Sequence, residues 1–192
     1  MRKRTNLITK KKKQKNNIPA KSDRKFEKLS RLFGIALPII IAGTAVDRIV
    51  KILTVKYIKP LPVKELIKGV INLRYAENTG ASFSMLAGKM WFFIPLTMVA
   101  LLVCGFILIK GYLKGISGVI SMSLIVAGAV GNFVDRLLYG YVIDMFEFAF
   151  IQFAIFNVAD ICLTSGGILL AIYILFIHDR AVKKSDKLPE TE

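Results

Sequence analysis

One histidine, one tryptophan and two cysteines in 192 residues leave little material for several common chemistries. His178 stands beside Asp179 with no second histidine, so neither a histidine-based nucleophile pair nor a His-rich metal site has anything to build on. Cys104 and Cys162 lie inside apolar runs and read as small apolar side chains, not as a disulfide or metal pair. There is no glycine-rich phosphate loop, and no Ser-Lys or Ser-His pair at obvious helical spacing. Acidic residues are scarce as well, 13 against 28 lysines and arginines, for a formal charge of +15. Spread over a soluble face, that excess would suggest nucleic acid as a partner, but its distribution argues against one. Thirteen of the basic residues precede Leu32, in a run centred on Lys10 to Lys13 and opposed only by Asp23 and Glu27. Such a run is expected to be disordered, and to act as a cytoplasmic orientation signal and a tether to anionic membrane lipids.

What the chain has in abundance is apolar sequence: 54% hydrophobic residues and a positive mean hydropathy. Four runs, at 33–55, 90–109, 116–134 and 157–177, are each long enough to cross a bilayer core, which takes roughly 20 helical residues. Helices satisfy their own backbone groups in lipid, and four separated runs do not resemble barrel strands. The first run is too long for a cleaved h-region and contains Asp47, Arg48 and Lys51, so it reads as an uncleaved first helix. The expected architecture is membrane α-helical: four transmembrane helices with a small extracytoplasmic β-sheet element between helices 1 and 2. Residues 1–32 form a basic cytoplasmic extension, 33–178 the transmembrane domain and 179–192 a polar cytoplasmic tail. The basic turn at 110–114 and the tail, with Arg180, Lys183, Lys184 and Lys187, place both termini inside. The loop from 56 to 89 carries Lys59, Lys64, Lys68 and Arg74 too, but is long enough to fold, and folded loops weigh less in that rule.

Within this apolar chain the residues 131–160 concentrate polar groups that are costly in a membrane, which marks a functional site. Asn132, Asp135 and Arg136 share one side of the end of helix three; Asn157 and Asp160 repeat the Asn-x-x-Asp spacing at the start of helix four. With the N-terminus inside, those two helix ends meet at the outer surface, and Asp144 lies in the aromatic segment 141–150 between them. That segment alternates Asp144, Phe146, Phe148 and Phe150 on one side and is expected to lie in the interface over the helix ends. Asp47 and Lys51, four apart on helix one, can form an internal ion pair. Residues 70–75 alternate as a strand, Asn78 is either a turn residue or a polar hand toward the site, and Trp91 is an interfacial anchor. Helix two is uncharged scaffold, and Gly118, Ser121, Ser123, Gly128 and Gly131 let helix three pack closely.

Two carboxylates held close in a low dielectric cannot both ionise easily and share a proton, so that one activates water while the other polarises a carbonyl. The same groups would also serve a proton- or ion-coupled transporter, or merely neutralise Arg136 in a structural subunit. Spacing alone makes Asp135 as good a partner for Asp160 as Asp144 is.

The motifs Asp47-x-x-x-Lys51, Asn78-Thr-Gly-Ala-Ser-Phe83, Gly131-Asn-Phe-Val-Asp-Arg136, Val142-Ile-Asp-Met145 and Phe156-Asn-Val-Ala-Asp160, in that order, resemble the bacterial lipoprotein signal peptidases, signal peptidase II. The resemblance implies an intramembrane aspartic endopeptidase of the bacterial cytoplasmic (inner) membrane, acting near its extracytoplasmic face without metal or cofactor. It would remove signal peptides from diacylglyceryl-modified prolipoproteins, cutting before the lipidated cysteine, and would act as a monomer. By motif position it assigns Asp144 and Asp160 as the catalytic pair. Asn78, Asn132, Asp135, Arg136 and Asn157 would contact substrate or support the site, with Asp47 and Lys51 beside them. The sheet before Trp91 would cradle substrate.

Overall fold

The computed structural model describes residues 29–80 and 88–178. The expected disorder of the basic extension, the tail, and Phe83 of the Asn78 motif lie outside the described residues. Among the described residues, four helices are long and apolar enough to span a membrane: α1 (Leu29–Tyr57), α2 (Met90–Lys110), α3 (Ile116–Tyr139) and α4 (Val158–Ile177). Helix α1 begins ahead of the apolar run at 33, and α3 continues past its run at 134 to carry Asp135 and Arg136 as helical residues.

The helix ends follow from local chemistry. Gly111 and Gly140 adopt φ of +67° and +75°, conformations open to glycine, and their amides close α2 and α3 on the Ile107 and Arg136 carbonyls. At the start of α4 the Asn157 side chain accepts from the Asp160 amide while the Asp160 carboxylate accepts from the Asn157 amide. This reciprocal cap satisfies helix donors that lipid could not.

Helix α3 is the central element and packs against the other three helices. A side chain on Gly128 would collide with the Ala159 carbonyl and Leu163, and one on Gly166 with the Ser121 carbonyl and Ile125. Backbone-to-backbone approach at these small residues substitutes for the hydrophobic force that lipid removes. Gly118 likewise lies under the fully buried ring of Tyr173, whose hydroxyl accepts from the Lys114 amide. Trp91, at the start of α2, is 73% exposed.

The sheet has three antiparallel strands in the order β1 (Lys64–Ile67), β2 (Ile71–Asn78) and β3 (Val142–Phe148). The strand expected at 70–75 is real and runs on to Asn78, and its neighbour β3 comes from beyond α3. The aromatic segment is therefore a strand of this sheet over residues 142–148. Asp144 sits opposite Ala76 and Val142 opposite Asn78, after a register shift between Leu73 and Ala76. The return to α4 has no glycine or proline; it folds back by pairing, with the Phe146 amide donating to the Phe156 carbonyl and the Phe156 amide to that of Phe146. The rings of Phe146, Phe148, Phe153 and Phe156 pack on one another over this reversal. On β2, the Tyr75 hydroxyl donates to Glu77 at 2.6 Å and Lys59 donates to both, tying the sheet to the end of α1. The Tyr75 hydroxyl, and then Lys59, hold the Glu77 carboxyl below its usual range.

Gly128→Val should destabilise the protein by about 1–3 kcal/mol or more through overpacking, read as a lowered Tm in detergent. Gly105→Ala, where nothing lies within 4 Å, should leave Tm unchanged.

Candidate active site

Behind the site lies a cluster of four charges. The Lys51 ammonium, fully buried, contacts Asp47 Oδ2 at 2.8 Å and Asp135 Oδ2 at 2.7 Å. Arg48 Nη2 lies 2.8 Å from Asp135 Oδ1. Two cations face two carboxylates, and this balance makes buried charge tolerable at membrane depth. The Asp47–Lys51 pair is thus present as expected. Asp135 joins it, and Arg48 completes it, a residue that sequence reasoning noted in the helix but did not bring to the site. The available signal was an arginine directly after Asp47, with an unmatched carboxylate at Asp135.

The cluster grips the backbone beside each candidate catalytic residue. Asp47 Oδ1 accepts from the Ala159 amide at 2.9 Å, one residue before Asp160. Asp135 Oδ2 accepts from the Ile143 amide at 3.2 Å, one residue before Asp144. Lys51 also donates to Asn132 Oδ1 at 3.2 Å.

In front of the cluster lies a layer of amides. Asn132 Nδ2 donates to Asp160 Oδ1 at 2.8 Å, and the Asn157 amide donates to Asp160 Oδ2 at 3.1 Å. Asn157 Nδ2 donates to Asp144 Oδ1 at 2.6 Å and Asn78 Nδ2 to Asp144 Oδ2 at 3.1 Å. Asn157 Nδ2 also lies 3.1 Å from Asn132 Oδ1, which joins the two halves. Asn78 is therefore a polar hand and a turn residue at once, since its Oδ1 accepts from the Gly80 amide. Arg136 Nη2 donates to the Gly80 carbonyl at 3.0 Å, with its guanidinium 5.1 Å from the Phe93 ring centroid.

Asp144 and Asp160 both line a cavity of about 740 Å³, together with Asn78, Asn132 and Arg136. Its apolar wall comes from α2 and α4, including Phe93, Leu96 and Ile161, and from the rings of Phe148, Phe153 and Phe156. Asp135 is absent from that lining and is fully buried in the ion cluster, so the pairing of Asp135 with Asp160 that spacing allowed is not formed. Burial pushes the Asp144 carboxyl up to about 7, reinforced by the negative charge of Asp160 and opposed by the amides of Asn78 and Asn157. Two carboxyls on one cavity, one of them still partly protonated near pH 7, can supply a base and an acid to the same substrate.

A family model described as signal peptidase (SPase) II matches residues 39–176 of the chain. A lipoprotein signal peptidase of Enterococcus faecalis is 40% identical over 156 residues, covering 81% of this chain and 96% of the relative. One of Streptococcus thermophilus is 44% identical over 141 residues, 73% and 92% of the two chains. Two solved structures described as a bacterial membrane enzyme superpose with TM-scores of 0.70 and 0.69, at 31% and 33% identity. They cover 83% and 75% of this chain, and 94% of each solved chain.

Lys51→Met should leave Asp47 and Asp135 buried with a single cation between them. A loss of roughly 3–5 kcal/mol is expected, measured as a fall in Tm or in recovery of folded protein from detergent. Lys51→Arg should recover part of it.

Proposed function

The chain belongs to the signal peptidase II family and, as an aspartic endopeptidase, removes signal peptides from prolipoproteins; on that premise we propose that Asp144 and Asp160 are its catalytic pair. The observation that carries the assignment is that both carboxyls line one cavity between α2 and α4 while Asp135 is spent on the ion cluster. Asp144, which burial keeps partly protonated near pH 7, acts as the acid, and Asp160 acts as the base. Asp160 takes a proton from a water molecule, whose oxygen attacks the scissile carbonyl. Asp144 gives its proton to the carbonyl oxygen as the tetrahedral species forms. On collapse Asp160 returns its proton to the departing amine, the C–N bond breaks, and Asp144 recovers the proton from the oxygen. Before substrate binds, the single proton is a property of the pair.

Asn78 and Asn157 hold Asp144, while Asn132 and the Asn157 amide hold Asp160. Arg136 keeps the Gly80 turn against the cavity mouth. The substrate is a diacylglyceryl-modified prolipoprotein that reaches the cavity sideways from the membrane and is cut before its lipidated cysteine. The apolar wall from α2 and α4 suits such a lipid-bearing chain. Both termini are cytoplasmic, so that residues 1–32 and 179–192 flank a peptidase domain at 33–178 and the pair lies at the extracytoplasmic end of α3 and α4. The basic runs at both ends support this orientation. It acts as a monomer.

In a gel-shift assay with a diacylglyceryl-modified prolipoprotein, Asp144→Asn and Asp160→Asn should each lose cleavage by at least about a thousandfold while keeping the wild-type Tm. Retained turnover in Asp144→Asn would remove that residue from the pair. Because the Asp144 carboxyl must be protonated, kcat/KM should fall about tenfold per pH unit above an apparent pKa near 7. A profile flat to pH 9 would contradict the acid role.

A further inference from the structure

We propose that Thr164 and Ser165 of α4 bind the substrate by donating hydrogen bonds to the last peptide carbonyls of the signal helix, on the membrane side of the scissile bond. This rests on the Asp144–Asp160 reading above.

Both residues line the same cavity as the pair. Thr164 is one turn further along α4 than Asp160, about 6 Å deeper in the membrane at ~1.5 Å per residue. Hydroxyls inside a membrane helix ordinarily bond back to a carbonyl one turn earlier. In this protein Thr97 donates to the Phe93 carbonyl, Ser121 to that of Ser117 and Ser123 to that of Val119; Thr44 donates across to Ala127. Thr164 and Ser165 differ. Neither hydroxyl has a hydrogen-bond partner among the described residues, and both side chains are exposed on the cavity.

The substrate brings the complementary need. A peptide bond enclosed in a helix cannot be attacked, so the chain must leave its helical conformation before it reaches the pair. The end of the signal helix then carries four carbonyls without intrahelical partners. At membrane depth no water relieves them, and each one left bare is costly. Of the other residues lining the cavity, Leu96, Ala100, Ala129 and Ile161 offer no side-chain donor, and the Thr97 hydrogen is already given to Phe93. Two free hydroxyls one turn below the base are placed to cap those carbonyls. They would fix where the helix stops, and therefore which peptide bond arrives at Asp160. Selectivity of this kind reads the backbone and tolerates varied signal sequences.

The test uses the full chain in detergent micelles and a diacylglyceryl-modified prolipoprotein, with Thr164→Val, Ser165→Ala, the double variant and Thr164→Ser. Each single deletion should raise KM about fivefold, the scale of one net hydrogen bond, with kcat within twofold and Tm unchanged; Thr164→Ser should restore KM. The double variant should show the same loss on a substrate whose lipid is joined by ether links, because the contact is to peptide. Wild-type KM in the double variant overturns the proposal. So does a loss that disappears with the ether lipid, which would assign the hydroxyls to the lipid ester carbonyls instead. Asp144→Asn, assayed alongside, tests the catalytic pair separately, since its outcome does not depend on the α4 hydroxyls.

Discussion

The ammonium of Lys51 is the point on which the site depends. It is fully buried in a protein that spans a membrane, and it is held by carboxylates from α1 and α3. A lone lysine there would be costly, and so would a lone Asp47 or Asp135; the charges are stable only together. Each of those carboxylates uses its reach to fix a backbone amide, of Ala159 in one case and Ile143 in the other. These are the residues directly before Asp160 and Asp144. Helix α1 thus supplies neither of the two proposed catalytic carboxylates, yet it braces the backbone beside both through one ionic junction.

The separation between that junction and the pair is equally necessary. A cation bonded directly to Asp144 and Asp160 would favour ionising both and remove the proton that the chemistry needs. The structure interposes neutral donors. Asn132 receives the Lys51 contact on its oxygen and presents its nitrogen to Asp160, while Asn157 and Asn78 present theirs to Asp144. An amide passes on position without passing on a full charge. This accounts for asparagine at 78, 132 and 157, because an ionised aspartate has no N–H to donate to a carboxylate and a lysine would bring a full positive charge against it.

Much of this was legible in the chain. Four apolar runs specify four helices because lipid admits few other spanning structures, and the Asn-x-x-Asp repeat placed Asn132, Asp135, Asn157 and Asp160 at facing helix ends. Pairing across the sheet was not legible. The second partner of β2, β3, lies more than sixty residues away, and the alternation of Phe146, Phe148 and Phe150 suits an interfacial segment as well as a strand. Helical spacing also could not separate Asp135 from Asp144. What separates them is whether a cation lies within reach, and that depends on how α1 packs on α3. Gly128, Gly131 and Gly166 pointed to close packing in general, but the contacts they permit, down to Gly131 against the Asp47 carboxylate, are properties of the assembled helices.

The two carboxylates sit on supports of different kinds. Asp160 belongs to the reciprocal cap of α4, locked from both sides by Asn157 and backed by Asp47 through Ala159. Asp144 is on β3, opposite Ala76 of a strand that also carries Asn78, and the register shift after Leu73 decides which β2 residues face it. Asn78 holds Asp144 and, through its other atom, the Gly80 amide, while Arg136 holds the Gly80 carbonyl. A displacement of the sheet or the Gly80 turn therefore reaches Asp144 through Asn78, and reaches Asp160 only through Asn157, which bonds to both residues.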